Sequence, residues 1–475
     1  MATLEEREVC RVTRAGAASC VALPGGVRWA ILALPRTLHL EGQSLFTSEQ
    51  LFDEVGSSAD VLRHAPFLER ARVERDYDRE VTARLALAAY VTARLVDRLH
   101  EGASDDESRE AFAWQVDAVR RHLSDLPPEL PETAHLVGIL EAVPPAGKAP
   151  AGLRLGLTAY AYFLEHEARL AEALDVLALA ARCHGKAIPA GEFAAIALFA
   201  GRLRRLQAQW AAANASYVSA EEAGQATGDM VTVLRSRLGR GGVLRGQGNL
   251  PACRALAESV LRSAEQLNLR DLQALACADL SAVLELQGLL TESVQAEYRA
   301  FQLSDDEVQR MRYLGDLGIT LARIGAFGAA RTAFEIVVAS QASFLVRTNA
   351  VLELMELESG VDNRVAFERL RAEAESVRER MTPSMTADYL YKVGVGLARF
   401  GKLSRAREVL GEGLRQTEAR GLNAWYFRFE RTLQNLTHSG PAGAREPKAA
   451  ASGLSELPAV QEVALGLREY ALSGS

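Results

Sequence analysis

The sequence predicts an all-α fold, a right-handed superhelical solenoid of stacked helix pairs. Three observations predict it. The first is a spacing: Ala168-Arg169-Leu170, Ala208-Gln209-Trp210, Gly248-Asn249-Leu250 and Gly288-Leu289-Leu290 recur at steps of 40 residues. Gly325-Ala326-Phe327 follows after 37 residues and Gly401-Lys402-Leu403 after a further 76, which reads as two units of 38 with a blurred copy between. A fixed period of roughly 20–50 residues marks a repeat architecture. The second is the pattern within a unit. In the copy around Leu317, apolar residues fall at helical intervals through Leu321 and Ile324, Gly325 breaks the run, and a second helix runs from Phe327 through Ala330, Phe334 and Val337. The third is proline. Between Gly152 and Gly440 it occurs only as Pro189, Pro251 and Pro383, all at turns or first helical turns, where the missing N–H costs nothing.

From the N-terminus, residues 1–75 have a different texture, and their fold is open. Residues 20–34, with Pro24-Gly25-Gly26 at the centre, suit a β-hairpin, or a loop followed by a buried helix. A helix-turn-helix can be drawn over residues 47–72, but Asp53, Glu54 and Asp60 are acidic where a DNA reader brings basic side chains. Residues 76–150 read as a helical hairpin that covers the first face of the solenoid. One helix runs over 79–100, and another opens at the capping box Ser104-Asp105-Asp106-Glu107, followed by a proline-rich linker. Residues 151–438 hold about seven repeat units. Residues 439–455, rich in Ala, Gly and Pro, read as a flexible linker. Residues 456–475 form an amphipathic helix with Val460, Val463, Ala464, Leu467 and Ala471 on one face. It either caps the last repeat or is tethered to reach the groove or a partner.

Aligned on their turns, the units share small residues where helices approach. The eighth position holds Ala161, Gly201, Gly241, Ser281, Gly318 and Gly394. The twentieth holds Ala173, Ala213, Cys253, Ser293, Ala330 and Ala406, and the twenty-fourth Leu177, Tyr217, Ala257, Glu297, Phe334 and Leu410. Ala257 and Glu297 depart from an otherwise bulky apolar position. The unit over residues 348–376 fits least well, with Leu354 where a small residue is expected. This pattern resembles the tetratricopeptide repeat, over about residues 151–437. Its period exceeds the usual 34 residues or so, and in that it is similar to the helical sensor domains of bacterial transcription regulators.

The resemblance implies that the first helix of each pair lines a concave face, through the second, fifth, ninth, twelfth and thirteenth positions. Those positions include Arg202, Arg205, Arg235, Arg245, Arg312, Arg323 and Arg399, with Tyr162 and Tyr391, and the acids Glu165, Glu285, Glu358 and Asp388. Arginine presents a planar fork suited to carboxylates, so the face favours an acidic or carboxylate-bearing protein or peptide. The competing reading is ion pairing between adjacent helices.

Nothing in the chain announces catalysis or a cofactor. The Gly-Lys pairs at Gly147, Gly185 and Gly401 lack the Ser or Thr of a phosphate loop, and Gly394 and Gly396 lack a third glycine. Gly-x-Ser-x-Gly and His-Glu-x-x-His are absent. Cys183-His184 has no further ligands at metal spacing, and His166 reads as structural. The formal charge of −7, from 54 basic and 61 acidic residues, leaves no nucleic-acid footprint. No apolar run approaches the roughly 18 residues that span a membrane, and the N-terminus carries no signal core. The cysteines, Cys10, Cys20, Cys183, Cys253 and Cys277, are odd in number and form no Cys-x-x-Cys pair, which fits a reducing cytoplasm. The expected function is a non-catalytic protein- or peptide-binding scaffold or adaptor. The alternative is a regulator in which the repeats sense a ligand and residues 1–75 are the effector.

Overall fold

The computed structural model describes residues 46–52, 62–76, 79–101, 106–144, 149–439 and 453–473. The hairpin expected over residues 20–34 lies outside them, as does most of the 439–455 segment. The described residues are helical apart from turns and a single bridge between Phe46 and Ile188. The helices before the array are α1 (Glu49–Phe52), α2 (Ala65–Asp76), α3 (Glu80–Glu101), α4 (Asp106–Ser124) and α5 (Pro131–Ala142). The array consists of α6 (Ala151–His166) with α7 (Leu170–Arg182), α8 (Ala190–Leu206) with α9 (Trp210–Thr227), and α10 (Met230–Gly246) with α11 (Leu250–Gln266). It continues as α12 (Arg270–Leu286) with α13 (Leu290–Leu303), α14 (Glu307–Arg323) with α15 (Phe327–Ala339), α16 (Phe344–Gly360) with α17 (Arg364–Ser376), and α18 (Pro383–Arg399) with α19 (Leu403–Ala419). Then come α20 (Asn423–Ser439) and α21 (Pro458–Ser473). None of the described helices is long and apolar enough to cross a membrane.

The recurring stretch in the sequence is one kind of helix stop. Ala168, Ala208, Gly248, Gly288, Gly325, Asp362 and Gly401 all take a left-handed backbone conformation. The N–H of each following residue bonds back to the carbonyl five residues earlier, at 2.8–2.9 Å, as in Arg169 to Leu164 and Lys402 to Leu397. That is the Schellman closure, which satisfies carbonyls left open at a helix end. The blurred copy is therefore the turn at Asp362, and the 76-residue step divides as 37 and 39 rather than 38 and 38. Side-chain caps open several of the helices. Asp229, Asn249, Asp306, Ser343, Asn363 and Thr382 each accept from a backbone N–H two or three residues on.

Bulky residues at the twenty-fourth position fill the space left by small ones at the eighth. A Cβ added to Gly318 would lie 2.6 Å from the Phe334 ring, one at Gly394 2.5 Å from Leu410, and one at Gly201 2.9 Å from Tyr217. Ala213, Ala330 and Ala406 are fully buried at the twentieth. The turn at Asp362 corrects the register of the sixth unit: its eighth residue is Met355, not Leu354. There the sizes invert, with buried Met355 and Phe367 at the two small positions. Space comes instead from the next unit, where Gly396 lies against the Phe367 ring and a Cβ would collide with it.

First helices touch one another along much of the array, at α8–α10–α12 and α14–α16–α18, whereas consecutive second helices make no comparable contact. The array therefore curves with its first helices inside. Contact is weakest at α6–α8 and at α12–α14.

α2, α3 and α5 close the N-terminal end of the array by packing on α6 and α7. Phe67 and Ala71 are buried, and Arg70 is consumed by Glu132 at 2.9 Å and Glu172 at 3.2 Å. At the other end, the C-terminal helix, expected to cap the last repeat or to be tethered for the groove or a partner, neither caps that repeat nor enters the groove. α21 packs against α13 and α15, on the outer side of the fourth and fifth units. Its apolar face was read correctly, since Val460, Val463 and Leu467 are buried. Phe301 and Tyr470 meet edge to face at 5.1 Å, and Arg310 lies 5.7 Å over the Tyr470 ring. These aromatic contacts fix the acceptor.

Candidate functional site

The inner face carries three groups of charges, each bridging neighbouring first helices. The first lies on α6, α8 and α10. Arg202 meets Glu165 at 2.6 Å, and Tyr162 stacks on Phe199 with ring centroids 4.0 Å apart, filling the weak α6–α8 contact. Arg205 bonds the Tyr217 hydroxyl. Arg205 makes no ion pair among the described residues but acts on Glu165 and Asp279 from further off; Arg235 makes none either, and its Nε is buried without a hydrogen bond. Burial raises the Glu165 carboxyl above its ordinary range, and Arg202 and Arg205 offset this only in part.

The second group surrounds the opening between α12 and α14. A cavity of about 260 Å³ lies there, lined by Arg245, Asp279, Glu285, Glu297, Arg312 and Asp316 among others. Arg245 is 3.7 Å from Asp279 and Arg312 is 4.0 Å from Asp316, while Arg323 pairs with Glu285. Glu297 comes from the second helix α13 and forms part of the floor. Burial pushes the carboxyls of Asp279, Asp316 and Glu297 upward, Glu297 furthest and with help from Asp316.

The third group lies on α16 and α18. Buried Lys392 donates to Glu353 at 2.6 Å and to Asp388 at 2.9 Å. Arg399 donates to the Ser359 hydroxyl at 2.7 Å and lies 3.8 Å from Glu356. Burial works against a charged Lys392, but Asp388, Glu353 and Glu356 outweigh it and raise its pKa.

The expected site residues thus divide. Tyr162, Arg202, Arg205 and Arg235 come together at one end of the face. Arg245, Arg312 and Arg323 gather at its middle, and Arg399 joins the ion network beyond. Tyr391 is not exposed to a ligand. It is 7% exposed, bonds Thr432 at 3.1 Å and packs on Phe429. Glu358 does not face inward either. It is buried and accepts from Arg331 on α15 and from Asn363, each at 2.6 Å. The register at Asp362 puts Glu356 on the inner face in its place. A continuous basic stripe does not exist, because five of the seven arginines meet a carboxylate.

The sequence reading missed the sixth position of each unit. It holds Asp279, Asp316, Glu353 and Lys392 in the fourth to seventh units, and all four carry charge on the inner face. The signal was there: a charge at one register in four consecutive helices that are otherwise mostly apolar.

What these elements define is a helical-repeat array with a charged inner face. No protein-family model matches the chain, and no curated protein matches it. Among solved structures it is similar to a Rap protein complexed with competence and sporulation factor, at 11% identity and a TM-score of 0.41 over 76% of this chain and 99% of that one. It is similar to NprR in complex with its cognate peptide NprX, at 12% identity and 0.41 over 74% and 96%. It is also similar to the apo form of RapI, at 11% identity and 0.40 over 56% and 98%.

Proposed function

We propose that this chain is a non-catalytic binding module of the tetratricopeptide type, which holds a peptide or an extended protein segment along its first helices. The observation that carries this is the inner face itself. It runs through seven first helices, opens into a cavity between α12 and α14, and presents two arginines, Arg205 and Arg235, that make no ion pair among the described residues. A guanidinium already half desolvated and pre-positioned is a ready receptor for a carboxylate. The acidic character of the ligand is therefore assigned to one end, where Arg205 and Arg235 lie, rather than to the whole groove. Cys253 and Cys277 are free and buried, which suits a reducing cytoplasm.

The test is selection of peptides from a randomised displayed library on the full chain, followed by affinity measurements. The Arg205→Ala plus Arg235→Ala variant should bind at least about tenfold more weakly, since a bond to a charged group is worth about 1.5–3 kcal/mol. Arg405→Ala, exposed on the second helix α19, should bind as the parent does. Binding should also weaken with salt. A double variant that matches the control, with no salt effect, would rule out the arginine end as the receptor.

One observation favours a regulatory version of this reading. Arg204, next to Arg205, is buried and donates to the Leu51 carbonyl at 2.5 Å and to Ser216 at 2.6 Å. It also lies 5.7 Å over the Phe52 ring. The N-terminal segment is thus tied to the same turn of α8 that presents Arg205 to the groove. A ligand drawn to Arg205 acts on the helix end that holds residues 46–52.

A further inference from the structure

The fourth unit breaks the packing rule of its neighbours. In the second, fifth and seventh units the twenty-fourth residue is Tyr217, Phe334 or Leu410, pressed against a glycine at the eighth. In the fourth unit the eighth and twentieth residues are Ser281 and Ser293, whose hydroxyls bond at 2.9 Å, and the twenty-fourth is Glu297. Glu297 is 4% exposed, and its Oε1 is buried without a hydrogen-bond partner. A buried carboxyl left in this state is costly, and a leucine would serve the packing better. Glu297 also lines the cavity between α12 and α14, so its buried carboxyl stands at the wall of a space that a ligand group can enter.

The charges around that space are matched except for Glu297. Asp279 faces Arg245, Asp316 faces Arg312, and Glu285 pairs with Arg323. Around Glu297 itself Asp316 and Asp279 oppose ionisation and Arg312 alone favours it by charge, which leaves room for a positive charge beside this carboxyl. No three of the described His, Cys, Asp and Glu residues are placed to hold a metal ion. The acceptors at hand are the Glu297 carboxyl, the Ser281 hydroxyl and the Asp316 carboxyl, and they suit a compact group with three N–H donors. The walls add Leu275, Ala278, Ala282 and Ile319, apolar surface for an alkyl stem.

Building on the peptide-binding reading above, we propose that this cavity is a pocket for a primary ammonium group of the bound peptide, with Glu297 as its counter-ion. The group is a lysine side chain or the peptide's own N-terminus. Together with Arg205 and Arg235 it makes the groove polar along its length: a carboxylate is received on α8–α10 and an ammonium on α12–α14. On binding, the ammonium favours the ionised Glu297 carboxyl, and any proton the carboxyl held passes to solvent. The charged and titratable groups that face it are Asp279 and Cys277 from α12 and Arg312, Tyr313 and Asp316 from α14, with Glu285 and Arg245 also on the cavity wall. On the far side of α13, Tyr298 and Phe301 meet α21, whose Tyr470 packs on Phe301. Burial holds the Glu297 carboxyl above its ordinary range, so affinity for a lysine ammonium, which stays charged to high pH, should rise with pH as the carboxyl ionises.

The probes are the peptides selected on the full chain from the randomised library, resynthesised in three forms: unaltered, with lysine replaced by norleucine, and with the N-terminus acetylated. Affinity should fall about tenfold or more in one of the two masked forms, which names the source of the ammonium. Glu297→Leu and Glu297→Gln should both weaken the unaltered peptide by a similar factor. Glu297→Leu, which restores the apolar residue usual at that position, should melt no lower than the parent, so its loss of binding is not a loss of folding. Full affinity in both masked forms, or in both Glu297 variants, overturns the pocket. If the Arg205→Ala plus Arg235→Ala variant still weakens the same peptides, the groove reading survives that result. A library that yields no binder to the parent overturns both.

Discussion

Ala168 and Ala208 occupy left-handed turns, with φ of 60° and 57°, where four other units use glycine. An L-residue pays about 1–2 kcal/mol for that conformation, and glycine returns part of the gain as extra freedom in the unfolded chain, about 0.4–1 kcal/mol. Ala168→Gly and Ala208→Gly should therefore each stabilise the array by about 0.5–1 kcal/mol in urea unfolding, and Gly325→Ala should destabilise it by a similar amount. Close approach is the other residue-scale rule. Gly318→Ala places a Cβ 2.6 Å from the Phe334 ring, and overpacking of this kind costs about 1–3 kcal/mol. An unchanged midpoint in that variant would mean that the Gly318–Phe334 contact does not hold in solution. The turns were legible in the sequence wherever glycine marked them. Asp362 was not, because aspartate tolerates the left-handed conformation without advertising it. The sixth unit was hidden for a related reason: its small residue, Gly396, sits in the following unit.

Among the elements, two packings could not have been read from local pattern. The apolar face of α21 was visible, but its acceptor was not, since Tyr298 and Phe301 are single aromatics on a second helix far away in sequence. Leu467 is fully buried in that contact. Leu467→Ala should weaken the docking by about 2–5 kcal/mol, seen as faster amide exchange over Pro458–Ser473 while the first helices keep their protection. The other hidden packing ties α3 and α7 to the turn before α2. His64 sits between Asp97 at 2.9 Å and Asp175 at 2.6 Å. Burial opposes a charged imidazole there, but the bonds to Asp175 and Asp97 outweigh it and raise the His64 pKa. Burial also opposes ionisation of Asp97, which His64 and Arg182 nonetheless hold far below its usual range. A raised histidine pKa contributes stability that is fully present below the unfolded value of about 6.5 and is lost as pH rises through the folded value. A lowered aspartate pKa contributes above about 3.9 and is lost as pH falls through its folded value. The tie is therefore strongest between about pH 4 and 6.5. Urea midpoints should fall from pH 6 to pH 9 in the parent and fall less in His64→Asn, a residue that accepts the positive φ of 62° found there. Equal pH slopes in the two proteins would remove His64 from the account.

Across the whole molecule, the charged inner face was half legible. The arginines of the first helices were readable one at a time, because their register follows from the repeat. Most of their partners were not, because four of the five lie about one repeat away on the neighbouring helix: Glu165 for Arg202, Asp279 for Arg245, Glu285 for Arg323 and Glu356 for Arg399. An error of one residue in the register, as in the sixth unit, moves a carboxylate from the inner face to the packing between helices. The pairing turns what looked like a basic stripe into a mostly balanced surface with two local exceptions: Arg205 and Arg235, which make no ion pair among the described residues, and buried Glu297, which makes none either. Such a surface selects by where the exceptions lie rather than by net charge.

The central claim is that a peptide lies along the first helices. Hydrogen–deuterium exchange of the full chain, with and without a peptide selected from the displayed library, tests it most directly. We expect new protection on α8, α10, α12 and α14, with a change at residues 46–52 through Arg204, and little change on α9, α11 and α15. Protection confined to the second helices or to α21 would contradict the claim and place the binding surface on the outside of the array.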